Sequence, residues 1–272
     1  MATMEEQVFV GRERELEELN GYLDRALAGH GQVCFVTGQA GTGKTALIHR
    51  FLEHASLVEP DLVVAVGGCN AYAGIGDPYL PFREALTMLT SDGSTQRLAG
   101  KSTPENARRL RKVFARSVQV LVEIAPDLVG LFVPGAKLVG TVGKAIATKA
   151  GWMEQLERLA SRPALAAAEQ SHILEQYTAF VQRLATKMPL ILFLDDLQWA
   201  DAASIGLLFH LARRIQASRV LILGAYRPND VALGREGKRH PPGAGGARAH
   251  AVLWGCLGGS GRHSGRRRSG VR

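Results

Sequence analysis

The sequence is poor in cysteine: Cys34, Cys69 and Cys256 are scattered along 272 residues. Structural zinc ligands come in close pairs and disulfide scaffolds are dense in cysteine, so neither is expected. A reducing cytoplasm is the expected setting. Long uninterrupted apolar runs are missing too. The most apolar stretch, Ile124 to Ala147, is broken by Asp127, Pro134, Lys137 and Lys144, which makes it a poor membrane span. No membrane association is expected. The opening MATMEEQVFV has no basic segment leading into an apolar one and does not read as a signal peptide.

Most of the chain also lacks a surplus of charge. The formal net charge is +8, yet residues 1–234 hold 24 basic and 24 acidic side chains, and residues 235–272 hold nine basic and one acidic. A basic protein invites a nucleic-acid reading. Here the body is neutral, and the charge sits in a Gly/Arg-rich tail with one aromatic, Trp254, to stack on bases. Nucleic acid is therefore not expected as a partner, and the tail is expected to be disordered.

What is present is a body with a core to bury, 46% of the chain being hydrophobic. Residues Arg12 to Leu27 carry Leu16, Leu19, Leu23, Ala26 and Leu27 on one helical face. Four short apolar runs without alternation follow at intervals: Val33 to Gly38, Asp61 to Asn70, Leu190 to Leu197 and Val220 to Tyr226. Such runs predict parallel strands covered on both faces. Residues 71–187 read as mainly helical, and AASIGLLFHLARRIQ lies between the last two strands. The expected fold is α/β, a parallel sheet between two helical layers, with a helical insert at about 71–187 and a core spanning 1–234. Cys34 and Cys69 fall in strands and read as core residues.

The chemistry concentrates in two segments. The first, Gly38-Gln39-Ala40-Gly41-Thr42-Gly43-Lys44-Thr45, is a full match to the phosphate-binding loop GxxxxGK[ST]. Converging backbone N–H groups need glycines in tight conformations, Lys44 would meet the β- and γ-phosphates, and the Thr45 hydroxyl would meet Mg²⁺. The second is LILFLDDLQWAD, whose apolar residues would deliver Asp195 and Asp196 to the C-terminal edge of the sheet, where open α/β folds place their ligands. Asp195 is the candidate metal ligand and Asp196 the candidate base for an attacking water. Gly143-Lys144-Ala145 is a decoy, having no hydroxyl for a metal. No NKxD segment is present, which favours adenine over guanine.

Taken together, VFVGRERELEELNGYL, GQAGTGKT, LILFLDDLQWAD and LILGAYRP, over roughly residues 8 to 240, resemble the nucleotide-binding domain of the STAND class of AAA-related ATPases. Such domains stand at the front of large multidomain bacterial regulators. The resemblance implies a three-layer P-loop NTPase that binds ATP and Mg²⁺, with Val10, Gly11 and Arg12 near the adenine and Arg227 sensing the γ-phosphate. It also implies partners beyond this chain, either regulatory proteins or C-terminal effector domains. From the residues alone, Arg12 reads equally as part of a charged first helical turn, and Arg227 equally as a solvated arginine before Pro228.

ATPases of this class usually have a fifth core strand beside the phosphate-loop strand, then a helical lid. Neither is legible after Tyr226, so the core is expected to be incomplete at its C-terminus, with Val33 to Gly38 an open apolar edge. One extra base near Pro241 and Pro242 would account for the tail, because GC-rich coding read out of frame yields Gly, Arg, Ala and Pro. Four functions stay open at this level: a slow ATPase, a nucleotide switch without turnover, a small-molecule kinase and an inactive truncated product.

Overall fold

The computed structural model describes residues 11–70, 78–91, 102–132, 170–234 and 252–254. The chain begins with α1 (Glu13–Leu27), β1 (Gln32–Thr37), α2 (Lys44–Val58) and β2 (Val63–Gly68). It continues through α3 (Leu80–Leu89), α4 (Pro104–Ile124), α5 (Pro126–Phe132) and α6 (Gln170–Ala185). Then come β3 (Leu190–Asp195), a 3-10 turn (Leu197–Trp199), α7 (Ala202–Arg214), β4 (Val220–Tyr226), α8 (Pro228–Gly234) and β5 (Val252–Trp254).

The sheet runs β2-β3-β4-β1-β5, its first four strands parallel. Alternation along each strand divides the core in two. Leu190, Leu192, Leu194, Val220 and Ile222 face one layer, together with Phe82, Leu86, Leu110, Tyr177, Phe180 and Leu207 from α3, α4, α6 and α7. Ile191, Phe193, Leu221 and Leu223 face the other, with Leu19 and Leu23 of α1 and Leu47, Ile48 and Phe51 of α2. Burial on both faces is why these strands lack polar alternation. The architecture is the expected three-layer α/β sandwich. The described parts of 71–187 do not stand apart from it, because α3 to α6 pack on the sheet as one of its layers.

The expectation of an open β1 edge is corrected. Val252–Trp254 of the tail pairs antiparallel with β1, matching Thr37 to Val252, Val36 to Leu253 and Phe35 to Trp254. These three apolar residues suit a pleated ribbon and supply a ladder to the half of β1 nearest the phosphate loop. That part of the tail is therefore strand rather than disordered chain. The decoy Gly143-Lys144-Ala145, Cys256 and the rest of 235–272 lie outside the described residues.

The opposite edge, β2, is closed by side chains. Asn106 of α4, buried, accepts from Val64 N and donates to Val64 O, both at 2.9 Å, as a neighbouring strand would. Met88 Sδ accepts from Val66 N, and Glu84 Oε2 from Gly68 N at 3.0 Å. Removing such a clamp leaves a buried N–H and C=O without partners, each costing about 1–3 kcal/mol. Asn106→Ala is thus expected to lower stability by about 3 kcal/mol in a urea titration at unchanged slope. A loss under about 0.5 kcal/mol would show that water replaces the amide at no cost.

Candidate functional site

Three strand ends converge at the C-terminal edge of the sheet. β1 runs into the glycine loop and α2, β3 ends at Asp195 and Asp196, and β4, between them in the sheet, ends before Arg227. Gly41 and Gly43 stand at φ +75° and +78°, and among the described residues no atom lies within 4 Å of where a Cβ would be on either. Backbone in the left-handed region with open space beside it is what a phosphate cradle requires. Gln39, Ala40, Gly41, Gly43 and Thr45 are exposed. Thr42 braces the loop, its hydroxyl donating to Gln39 O at 2.9 Å. Gly43 caps α2 without a side-chain acceptor, and the first turn of α2 has no acidic residue. The positive end of the helix therefore faces the loop without a protein carboxylate on its own first turn.

Lys44 is buried, and its Nζ donates to Gly38 O and Gln39 O, both at 3.0 Å. Burial, and then the nearby Arg227, push its pKa below the usual lysine value, against the pull of Asp196, Asp195 and Asp230. The ammonium is held ready at an energetic cost that an arriving anion would relieve. Thr45 Oγ1 lies 3.3 Å from Asp195 Oδ2. Burial raises the Asp195 pKa, opposed by hydrogen bonds from Asp196 N and Thr45. A hydroxyl and a carboxylate side by side form a hard oxygen donor pair.

Asp196 has φ +53°, in the left-handed region that Asp tolerates better than most residues. Its Oδ1 lies 3.8 Å from Arg227 Nη2, and Arg227 Nη1 lies 3.7 Å from Asp230 Oδ2. Arg12 is brought to the loop: its Nη2 donates to Thr42 O at 3.0 Å and its Nη1 pairs with Glu15 at 2.7 Å. Gly11 precedes it at φ +83°. Val10 lies outside the described residues.

Sequence reasoning missed several groups here. Gln198 Nε2 donates to Asp196 Oδ1 at 2.7 Å and Gln198 Oε1 accepts from Arg227 N at 3.1 Å. Asn229 Nδ2 donates to Gln39 Oε1 at 3.1 Å, tying α8 to the glycine loop. Asp201 caps α7 through Ala203 N and Ser204 N and also holds Tyr79 N ahead of α3. An Asp ahead of a helical run was the available signal for that cap. The Cys69 thiol is pushed up to about 12 by burial and then by Asp201, Asp196, Asp195 and Glu84, so it stays protonated.

Residues 8–223 match the family described as the AAA ATPase domain. The chain belongs to that family. Membership brings nucleotide binding with it. The match ends within β4, so Arg227, Asn229 and Asp230 rest on geometry alone. Among solved structures, the plasmid coupling protein TrwB in complex with the non-hydrolysable GTP analogue GDPNP is similar at 13% identity, covering 78% of this chain and 68% of that one, with a TM-score of 0.27. No curated protein matches. No helix among the described residues is long and apolar enough to cross a membrane.

The donor set of the AAA ATPase domain also fits a divalent cation. Thr45 and Asp195 would hold Mg²⁺, which when bound would neutralise phosphate charge.

Proposed function

We propose that this AAA ATPase domain binds Mg-ATP and hydrolyses it slowly, as the nucleotide-operated part of a cytoplasmic signalling or transcriptional regulator of the STAND class. Its partners would be regulatory proteins or effector domains beyond this chain. The observation that carries the reading is the 3.3 Å approach of Thr45 Oγ1 to Asp195 Oδ2, which links the glycine loop of β1 to the carboxylates of β3. In this reading Gly38 to Thr45 wrap the phosphates, and Arg12 steadies the loop through Thr42 O. Lys44 leaves its loop carbonyls for the β- and γ-phosphates. Asp196 takes a proton from water as the water oxygen bonds to the γ-phosphorus and the bond to the β-phosphate oxygen breaks, giving ADP and phosphate. Arg227 answers charge on the γ-phosphate.

A second reading, a switch that holds nucleotide without turnover, is favoured by one observation: Asp196 Oδ1 is already engaged by Gln198 and lies near Arg227. Asp196→Asn separates the two. For an ATPase, phosphate release should fall about 10²-fold while Mg-ATP affinity stays within about threefold. Unchanged release would leave the switch.

A further inference from the structure

The geometry points to Gln198 as a positioning residue that aims the Asp196 carboxylate and couples it to the strand end that carries Arg227. The inference rests on the hydrolytic reading above. Asp196 follows β3 at φ +53°, a turn any small change in the loop could re-aim. Its backbone N–H is fixed by Asp195 Oδ1 at 2.9 Å, and its carbonyl accepts from Trp199 N at 3.0 Å. That leaves the side chain to be set. Gln198 sets it by donating to Oδ1 at 2.7 Å, and among the described residues Oδ2 accepts no hydrogen bond. One oxygen is pinned and the other is left for water.

The other end of the same amide accepts the Arg227 N–H at 3.1 Å, at the point where β4 turns into α8. Arg227 then reaches back toward Asp196 Oδ1 at 3.8 Å, closing a ring of three residues across two adjacent strands. The pair Asp196 carboxylate and Arg227 N–H demands one donor and one acceptor on a single side chain. A glutamine amide has both, a methionine of similar length has no donor, and a neutral imidazole again has one of each. A shift of the β4 end on sensing the γ-phosphate would pass through Gln198 to the base. The half-exposed ion pair between Arg227 and Asp196 is too weak to carry that coupling alone.

The test uses the full chain as wild type, Lys44→Ala, Gln198→Met and Gln198→His. Measured are Mg-ATP affinity, kcat and KM for phosphate release, and thermal midpoint. In Gln198→Met, kcat should fall about tenfold or more with KM and affinity within about twofold, and Gln198→His should recover kcat to within about threefold of wild type. Wild-type kcat in Gln198→Met overturns the relay while the ATPase reading stands. Loss of affinity or thermal stability in proportion to kcat, without recovery by histidine, also overturns it. Wild-type protein that binds Mg-ATP yet releases no phosphate above the Lys44→Ala background removes the hydrolytic reading itself, and the relay with it.

Discussion

Lys44→Ala is expected to weaken Mg-ATP binding by about 10³-fold, because two or three charge-assisted hydrogen bonds in a partly dry site are worth about 4 kcal/mol together. The size follows from where the ammonium sits. It is buried, and among the described residues its hydrogen bonds go to the carbonyls of Gly38 and Gln39. Burial and Arg227 already hold its pKa below the usual lysine value. Phosphates favour the charged form, so nucleotide binding raises that pKa and draws in a proton as the solution becomes alkaline. Affinity should therefore fall as pH rises through the lowered free-state pKa, at a lower pH than for an ordinary lysine. Calorimetric titration of both proteins across pH checks this. Equal affinity, or a pH slope that survives in Lys44→Ala, would remove Lys44 from the site.

At Asp195, beside Thr45, the sign reverses. Burial raises the Asp195 pKa, so its proton competes with Mg²⁺ at a higher pH than for an ordinary carboxylate, and Mg²⁺ dependence should steepen as pH falls through it. The two trends bracket a pH window in which Lys44 is charged and Asp195 is not protonated. That window is set by burial more than by sequence, since both groups would titrate normally on an exposed loop.

What the sequence showed and what it hid divide along a physical line. Parallel strands buried on both faces are contiguous apolar runs, so all four could be read, and β4 has the predicted bounds. The glycine loop and its flanking strand and helix are local in sequence, so their spacing carried their chemistry. Gln198, Asn106 and Glu84 were not legible, because their roles depend on which elements become neighbours. Asn106 matters only once α4 lies along the outer edge of β2, 42 residues away from Val64. Gln198 stood in plain view within LILFLDDLQWAD, but while its acceptor Asp196 is just past β3, its donor is Arg227 N just past β4, 29 residues along the chain from Gln198. The strand at Val252–Trp254 was hidden for a different reason: three apolar residues in a Gly/Arg-rich tail carry no periodicity.

Gly67 shows how tightly one such neighbour is fitted, and Gly67→Ala is expected to be the most damaging small substitution near the site. A Cβ there would stand 1.8 Å from Pro81 O, 2.6 Å from its carbonyl carbon and 2.9 Å from its Cα. These are backbone atoms at the start of α3, so no side-chain rotation relieves the clash. The helix would have to lift. Lifting it pulls Met88 from Val66 N and Glu84 from Gly68 N, reopening the β2 edge. It also strains the Phe82 carbonyl held by the buried Tyr177 hydroxyl at 3.0 Å. Overpacking and the two hydrogen bonds lost at the β2 edge together cost about 4 kcal/mol, which for a domain of this size lowers Tm by about 10 °C. The adjacent Gly68→Ala is the control, since among the described residues its Cβ would meet only Glu84 Oε2, at an ordinary 3.8 Å. Its Tm should move by no more than about 2 °C. Function should follow stability at Gly67, because β2 leads into Cys69, whose N–H donates to Asp195 O at 3.0 Å, next to the Asp195 carboxylate that meets Thr45. Thermal unfolding of both variants decides the matter: a Gly67→Ala protein as stable as Gly68→Ala would mean that α3 does not rest on β2 in this way.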